Sequence, residues 1–312
     1  MDRHLVVGAG PVGRATAAQL VLAGAEVVLA SRSGVGEEVP GALRVALEAA
    51  DVDAVTSAAE GARAIYNCVN PPQYHRWETQ WPPVARSLLR AAELTGAVLA
   101  TAGNLYPYGP VEGPMVEGMT DAADDSKGRV RAQMWAEALA AHRAGRVRAV
   151  EVRAGDYVGA GVGEGGHVPR VVPRALQGKA VRVIGDPHQP HTWTDVLDVA
   201  RALVTVAGEP EAWGRVWHAP SNAPRTQAQA VTDICQAAGR PAVDVRGYPG
   251  WLLAGLASVM PTMREVRAID HQFTRPFVMD STAITRELGL VPTPWREVCE
   301  RTAGSTGVRS PV

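Results

Sequence analysis

Short apolar runs alternate with longer amphipathic stretches through the first half of the chain. Residues 4–7, 26–30, 43–47, 64–69, 97–101 and 148–153 centre on short apolar runs too short for helices, and the pattern predicts strands there. Between them, residues 11–23 predict a helix with Pro11 tolerated in its first turn. Residues 83–94 carry apolar side chains at helical spacing. Residues 127–141 place Val130, Met134, Ala138 and Leu139 along one stripe. Strands separated by helices predict parallel βαβ units with right-handed crossovers.

After Arg153 the pattern loosens. Residues 155–166 are rich in glycine and predict a loop. A helix is expected at 168–176, an extended segment at 180–184, and a helix at 194–207 begun favourably by Asp195. A strand (216–218), a helix (226–238), a strand (243–246) and further helical material follow. The expected fold is α/β: a doubly wound parallel sheet of Rossmann type with a smaller discontinuous C-terminal substrate lobe. The core takes residues 1–155 and returns near 190–220. The lobe takes 156–190 and 221–303, and 304–312 is a polar, fraying tail.

Composition narrows the classes. The chain has 312 residues, 46% hydrophobic and 20% charged, with a formal net charge of −1. No basic excess pairs with nucleic-acid phosphates. The apolar run 251–260 is about half of the roughly 20 residues that span a bilayer, so no membrane partner is expected. The opening MDRHLVVGAG lacks a signal peptide's apolar stretch, which points to the cytoplasm. Cys68, Cys235 and Cys299 are far apart without a CxxC pair, so buried reduced thiols are expected rather than a zinc site or disulfides. The histidines lack metal-ligand spacing, and no metal is expected. No GxSxG elbow exists, and Gly178-Lys179-Ala180 is not a P-loop. Only Lys127 and Lys179 of 31 basic residues are lysine, so each invites a question.

The strongest motif is Gly8-Ala9-Gly10-Pro11-Val12-Gly13. A lone GxGxxG carries little, but this one follows a strand and opens a helix, the context of a dinucleotide fingerprint. Gly8 permits the tight turn, Gly10 a close approach of pyrophosphate, and Gly13 helix–strand packing. The helix start offers N–H groups and partial positive charge. A plain glycine turn is the competing reading. The second strand ends in Ser31-Arg32, with no acid for a ribose 2′-OH, which favours NADP(H) over NAD(H). Asp51-Val52 either borders the adenine or marks a helix cap.

Fingerprint, Arg32, Asp51-Val52 and Asn67-Cys68-Val69-Asn70 together resemble the extended short-chain dehydrogenase/reductase superfamily, in particular its atypical NAD-dependent epimerase/dehydratase-like members. Asn104-Leu105-Tyr106-Pro107-Tyr108-Gly109, Arg153-Ala154-Gly155-Asp156-Tyr157-Val158-Gly159, the stretch from His191 to Ala200, and Asp280-Ser281 with Glu287-Leu288-Gly289 resemble later family segments. The resemblance implies a nicotinamide cofactor touching Val69 and Asn70, and it leaves room for a homodimer. Carbonyl-reducing members use a serine and a Tyr-xxx-Lys, the lysine lowering the tyrosine pKa. Ser126-Lys127 matches the lysine end, but Ala123 stands in the tyrosine's place and Asn104 in the serine's. Lys127 is either the ribose-binding lysine or an ordinary lysine on a surface helix. Tyr106 is the candidate substitute phenol, Asn104 a carbonyl partner, and Tyr108 a structural ring. Asp156 is an acid/base or a turn former.

The segment from Asn70 to Trp81 concentrates Tyr74, His75, Trp77 and Trp81, suited to a flat or aromatic substrate or, equally, to anchoring a helix on the core. His167, His191 and Trp193 are further substrate-side candidates. These readings predict an NADP-dependent oxidoreductase acting on a small organic carbonyl, imine or sugar-like compound with a non-standard proton donor. The alternatives are a non-redox NADP(H)-binding regulator or sensor, and an epimerase, isomerase or cyclase on the same fold.

Overall fold

Each apolar run of the first half becomes a strand of one parallel sheet. The strands are β1 (Arg3–Val7), β2 (Glu26–Ser31), β3 (Ala42–Ala46), β4 (Ala62–Asn67), β5 (Val98–Ala102) and β6 (Arg148–Arg153), joined by β10 (Val216–His218). Their order is β10-β6-β5-β4-β1-β2-β3. β1 pairs in parallel with both β2 and β4, so the strand order reverses beside it, where open α/β sheets bind ligands. Leu5, Val6, Leu29 and Ile65 are almost wholly buried, as expected of parallel strands covered on both faces. The computed structural model describes residues 1–71, 73–249 and 269–305.

The chain divides into two units. The first is Met1–Gly109, Glu117–Arg153 and Val199–Ala219. It contains the seven-stranded sheet with helices α1 (Pro11–Leu22), α2 (Val52–Ala58), α3 (Trp77–Thr95) and α4 (Ser126–Arg143), and most of α6 (Val196–Gly208). The second takes Pro110–Val116, Ala154–Asp198 and the described residues from Pro220 onward. It holds two parallel pairs, β7 (Asp156–Val158) with β9 (Trp193–Asp195) and β8 (Val181–Val183) with β11 (Val245–Gly247). Helices α5 (Val172–Ala175), α7 (Gln227–Ala237) and a C-terminal helix (Trp295–Gly304) pack with them, around Val168, Leu176, Trp193, Ile234 and Val298.

Four boundaries differ from the sequence expectation. The return to the first unit begins at Val199, because 193–195 pairs with β7 instead of starting the helix. Residues 110–116 belong to the second unit, where Met115 accepts from the Asp280 N–H and donates to Val278. The glycine-rich loop contains the strand β7; three residues are too few for an alternation to be read. The third helix starts at Trp77, six residues early, and carries Pro82 and Pro83 inside it. These prolines leave the Glu78 and Thr79 carbonyls without their i+4 donors. Trp77 and Trp81, 2% and 0% exposed, hold that first turn in the core despite the loss. The run 251–260 lies outside the described residues.

Candidate functional site

The turn after β1 is built around three glycines with three different jobs. Gly8 has φ +107°, and a Cβ there would overlap the Cys68 carbonyl. A Cβ on Gly13 would overlap the Gly8 carbonyl oxygen, so helix α1 and the turn touch backbone to backbone. Gly10 is the opposite case, with open space where its Cβ would point. It is the N-cap of α1, and no side chain caps that helix start. The first-turn donors and the positive end of the helix dipole therefore face a position a side chain would fill, the arrangement that accepts an anion.

A cavity of about 510 Å³ opens on this turn. Its walls include Gly8, Gly10, Ser31, Arg32, Val69 and Asn70. Pro11, Val12 and Gly13 form the first turn of α1 behind it. The Ser31 hydroxyl is buried without a hydrogen-bond partner, an orphaned polar atom at the rim of a site shaped for a polar ligand. Leu47, Glu48, Ala49 and Ala50 after β3 and Thr79, Gln80 and Val84 of α3 complete the wall. Sequence reasoning missed Glu48 and the α3 residues. The signal for Glu48 was its place just past a parallel strand; that for Gln80 was hidden by the misplaced helix start. Asp51 accepts from the Asp53 and Ala54 amides and caps α2, which is the cap alternative, and neither it nor Val52 is among the lining residues.

The loop after β5 places the catalytic candidates. Asn104 accepts from the Tyr106 amide at 3.2 Å through its side-chain oxygen, an Asx turn that starts a 3-10 turn, Tyr106–Tyr108. Tyr106 is 8% exposed and stacks on Trp77 with centroids 6.1 Å apart, a buried ring rather than an open phenol. The Tyr108 hydroxyl lies 2.8 Å from His218 Nε2, and its ring covers the Arg153 guanidinium at 4.6 Å. Burial pushes the Tyr108 phenol up to about 12. Ala123 lies against Gly109 and Gly128, with no phenol at that position. Lys127 is 0% exposed in the first turn of α4. The surface-helix reading is thereby corrected, because fully buried lysines occur only with partners.

Trp77 is likewise a core residue, not a substrate wall. Its Nε1 donates to Pro71 at 3.0 Å, Trp81 meets it edge-on, and the Arg131 guanidinium lies over both rings. Tyr74 begins the 3-10 turn Tyr74–Arg76, and its side chain lies outside the described part of the structure.

The second unit gathers the other candidates into one cluster. His191 Nε2 lies 2.8 Å from Asp156 Oδ2 and Nδ1 lies 3.1 Å from the Gln272 carbonyl. Trp193, Phe273 and Phe277 surround the His191 ring. His167 packs on Phe273 at 4.2 Å, with Nε2 3.9 Å from Asp156 Oδ1. Burial lowers the His167 imidazole to about 4, against the pull of Asp156. Burial opposes ionisation of Asp156, but His167, the His191 hydrogen bond and Arg170 outweigh it and hold the carboxyl below its ordinary value.

A depressed histidine pKa has a fixed sign. The folded chain binds this proton less readily than the unfolded chain, so its contribution is complete above about pH 6.5 and is lost as pH falls towards 4. Urea unfolding at pH 7 and pH 4.5 is expected to cost the native sequence up to about 3 kcal/mol more than His167→Gln. Equal losses in the two chains would remove His167 from the account. Asp156 loses its own contribution only below about pH 3.8.

A glycine turn feeding an uncapped helix at the reversal of a parallel sheet defines a dinucleotide-binding Rossmann protein. The chain belongs to the NAD dependent epimerase/dehydratase family, whose model matches residues 4–218, and it is an enzyme of that type. No curated protein matches it in sequence. Among solved structures it is similar to the dTDP-glucose 4,6-dehydratase of Bacillus anthracis in complex with NAD, at 16% identity and a TM-score of 0.80, covering 98% of this chain and 96% of that one. It is similar to the UDP-glucose 4-epimerase of Thermotoga maritima with UDP-glucose, at 16% identity and a TM-score of 0.80, covering 97% and 98%. The dTDP-glucose 4,6-dehydratase of Streptomyces venezuelae with NAD and TYD bound is 18% identical with a TM-score of 0.78, covering 97% and 96%. Among the described residues no helix is long and apolar enough to cross a membrane, and no cluster of metal-ligating side chains occurs.

Proposed function

We propose that this enzyme is an NADP(H)-dependent oxidoreductase acting on a small organic carbonyl, imine or sugar-like substrate. The observation that carries the cofactor preference is the end of β2. There an unpartnered Ser31 hydroxyl and Arg32 line the crevice, and that strand end offers no carboxylate for a ribose 2′-OH. Gly8, Gly10 and the first turn of α1 hold the diphosphate, and Val69 and Asn70 line the continuation of the crevice. A nicotinamide dinucleotide bound there supplies hydride transfer.

The chain's own residues then divide the remaining work. Lys127, the one buried lysine, binds ribose hydroxyls and sets positive charge beside the reacting centre. The Asn104 side chain orients the loop that follows β5 and offers its amide to a substrate carbonyl. With Ala123 at the usual phenol's place, the proton passes through water or through Tyr106 after rotation off Trp77. Asp156, His191 and Trp193 form the substrate-side cluster of the second unit. The family match favours one second reading, epimerisation, in which the hydride is taken and returned without net cofactor turnover.

Fluorescence titration with NADPH and NADH tests the preference. Arg32→Ala is expected to weaken NADPH about 10- to 100-fold, the worth of one charge-assisted phosphate contact, and to leave NADH within about twofold. Equal weakening of both nucleotides would refute the assignment. Loss of reduced-nicotinamide absorbance with a panel of carbonyl compounds then separates net reduction from epimerisation, which leaves the absorbance unchanged while converting the sugar.

A further inference from the structure

The second unit carries a hollow of about 560 Å³ between α5 and the β8–β11 pair. Four of the nine residues lining it are arginine: Arg170, Arg174, Arg182 and Arg246. Arginine makes up only 29 of the 312 residues of the chain, so the concentration is several times the average. Asp244 is the one acid in the wall. The hollow is thus strongly positive in a chain of net charge −1.

All four arginines are exposed, and each is tethered at one point. Arg170 Nε donates to the Gly166 carbonyl at 2.9 Å, and Arg174 Nε to the Ala180 carbonyl at 2.9 Å. Arg182 donates through one terminal nitrogen to the Gly247 carbonyl at 3.3 Å. Arg246 is steadied by Asp244 at 2.6 Å. Anchoring at Nε fixes the plane of the Arg170, Arg174 and Arg246 forks, and all three residues are exposed, which reduces the entropy lost when an anion binds.

The register adds a second observation. Arg246 and Arg182 are direct partners across the parallel β8–β11 pair. Adjacent strands are about 4.8 Å apart, and like charges set side by side on a sheet oppose each other. Asp244 meets Arg246 and the Asp156 carboxylate acts on Arg170, so the wall still carries an excess of positive charge whose repulsion costs the free protein stability that a multivalent anion would return. Tyr248, 40% exposed, adds a phenol at the rim.

We infer that this hollow binds a compact oligophosphate, a ligand with at least two adjacent phosphate groups that several arginine forks grip together. The site is made wholly of second-unit residues and shares none with the dinucleotide crevice, so it stands apart from the proposed oxidoreductase activity. The cavity is of the size that takes small molecules, and its binding weakens with salt because the contacts are exposed ion pairs.

Inorganic pyrophosphate is the probe. Calorimetric titration into the full chain, pre-saturated with NADPH, is expected to show one pyrophosphate per chain. The double variant Arg182→Gln, Arg246→Gln is expected to weaken pyrophosphate at least about 30-fold and to leave the NADPH affinity unchanged. Both substitutions are on exposed side chains, and a melting temperature at or above that of the native sequence confirms folding. Absence of pyrophosphate binding by the native sequence, or binding that survives the double variant, overturns the proposal. Pyrophosphate competition with NADPH that ignores the double variant also overturns it, since that would place the anion in the crevice. None of these results depends on turnover, and failure of NADPH to bind would instead count against the proposed cofactor.

Discussion

Gly10→Ala is expected to abolish tight cofactor binding while leaving the fold intact. The backbone of Gly10 is extended, with φ −72° and ψ −177°, so alanine meets no strain there. Nothing lies within 4 Å of the added methyl. Its melting temperature should therefore match that of the native sequence. The methyl would, however, fill the space through which a diphosphate reaches the backbone at the start of α1, and NADPH affinity should fall by 10²-fold or more, about 3 kcal/mol. Gly13→Ala makes the contrast, because its methyl would collide with the Gly8 carbonyl. The turn and helix must then move apart, and both stability, by about 3 kcal/mol, and binding should be lost. Melting curves and NADPH titration of the two variants check this. A Gly10→Ala chain that binds NADPH normally would show that the diphosphate does not lie against this turn.

The glycine turn was legible in the sequence because its parts are local. Three glycines within six residues, a strand before and a helix after, need no distant partner to be interpreted. The centre of the parallel core was legible for a related reason: β1, β2, β4 and β5 are short, mainly apolar runs that are buried whichever neighbour covers them, whereas the edge strand β3 leaves Leu43 61% exposed. The features that escaped are set by contacts between residues far apart in the chain. Trp77 fitted a pocket wall and a core anchor equally well until Arg131, more than fifty residues later, was placed over its ring, which decides for the core. The apolar spacing read over 83–94 missed the first turn, because the helix starts at Trp77 and the buried Trp77 and Trp81 hold it there ahead of Pro82 and Pro83. Lys127 was conspicuous by rarity, yet its burial is a tertiary property that neither rarity nor helical spacing carries. Asp156 met His191 across 35 residues, a contact that a three-residue strand could not announce.

Arg153 is where such a long-range contact has its largest expected consequence. Sequence alone marks it as the last residue of β6. In the folded chain it is 1% exposed, and both ends of its fork bind Asp121, at 2.6 and 2.9 Å. Its Nε donates to Glu151 at 2.9 Å, and Tyr108 lies over the guanidinium. One cation thus serves two carboxylates inside the first unit. Burial pushes the Glu151 carboxyl up, and Arg153 opposes that shift without cancelling it. Arg153→Met keeps most of the volume but strands the acids, and breaking a buried pair from one side costs about 3–5 kcal/mol. Adding Glu151→Gln removes one stranded charge and should recover part of that loss, so the two substitutions should be strongly non-additive. Urea unfolding of the native sequence, both single variants and the double variant at pH 7 measures the coupling. Because Glu151 can escape its isolation by taking a proton, the Arg153→Met deficit should also shrink as pH falls towards the raised pKa of Glu151. A loss below about 1 kcal/mol, or strict additivity, would mean that hydration of Asp121, 21% exposed at its side chain, already satisfies the acids without the arginine.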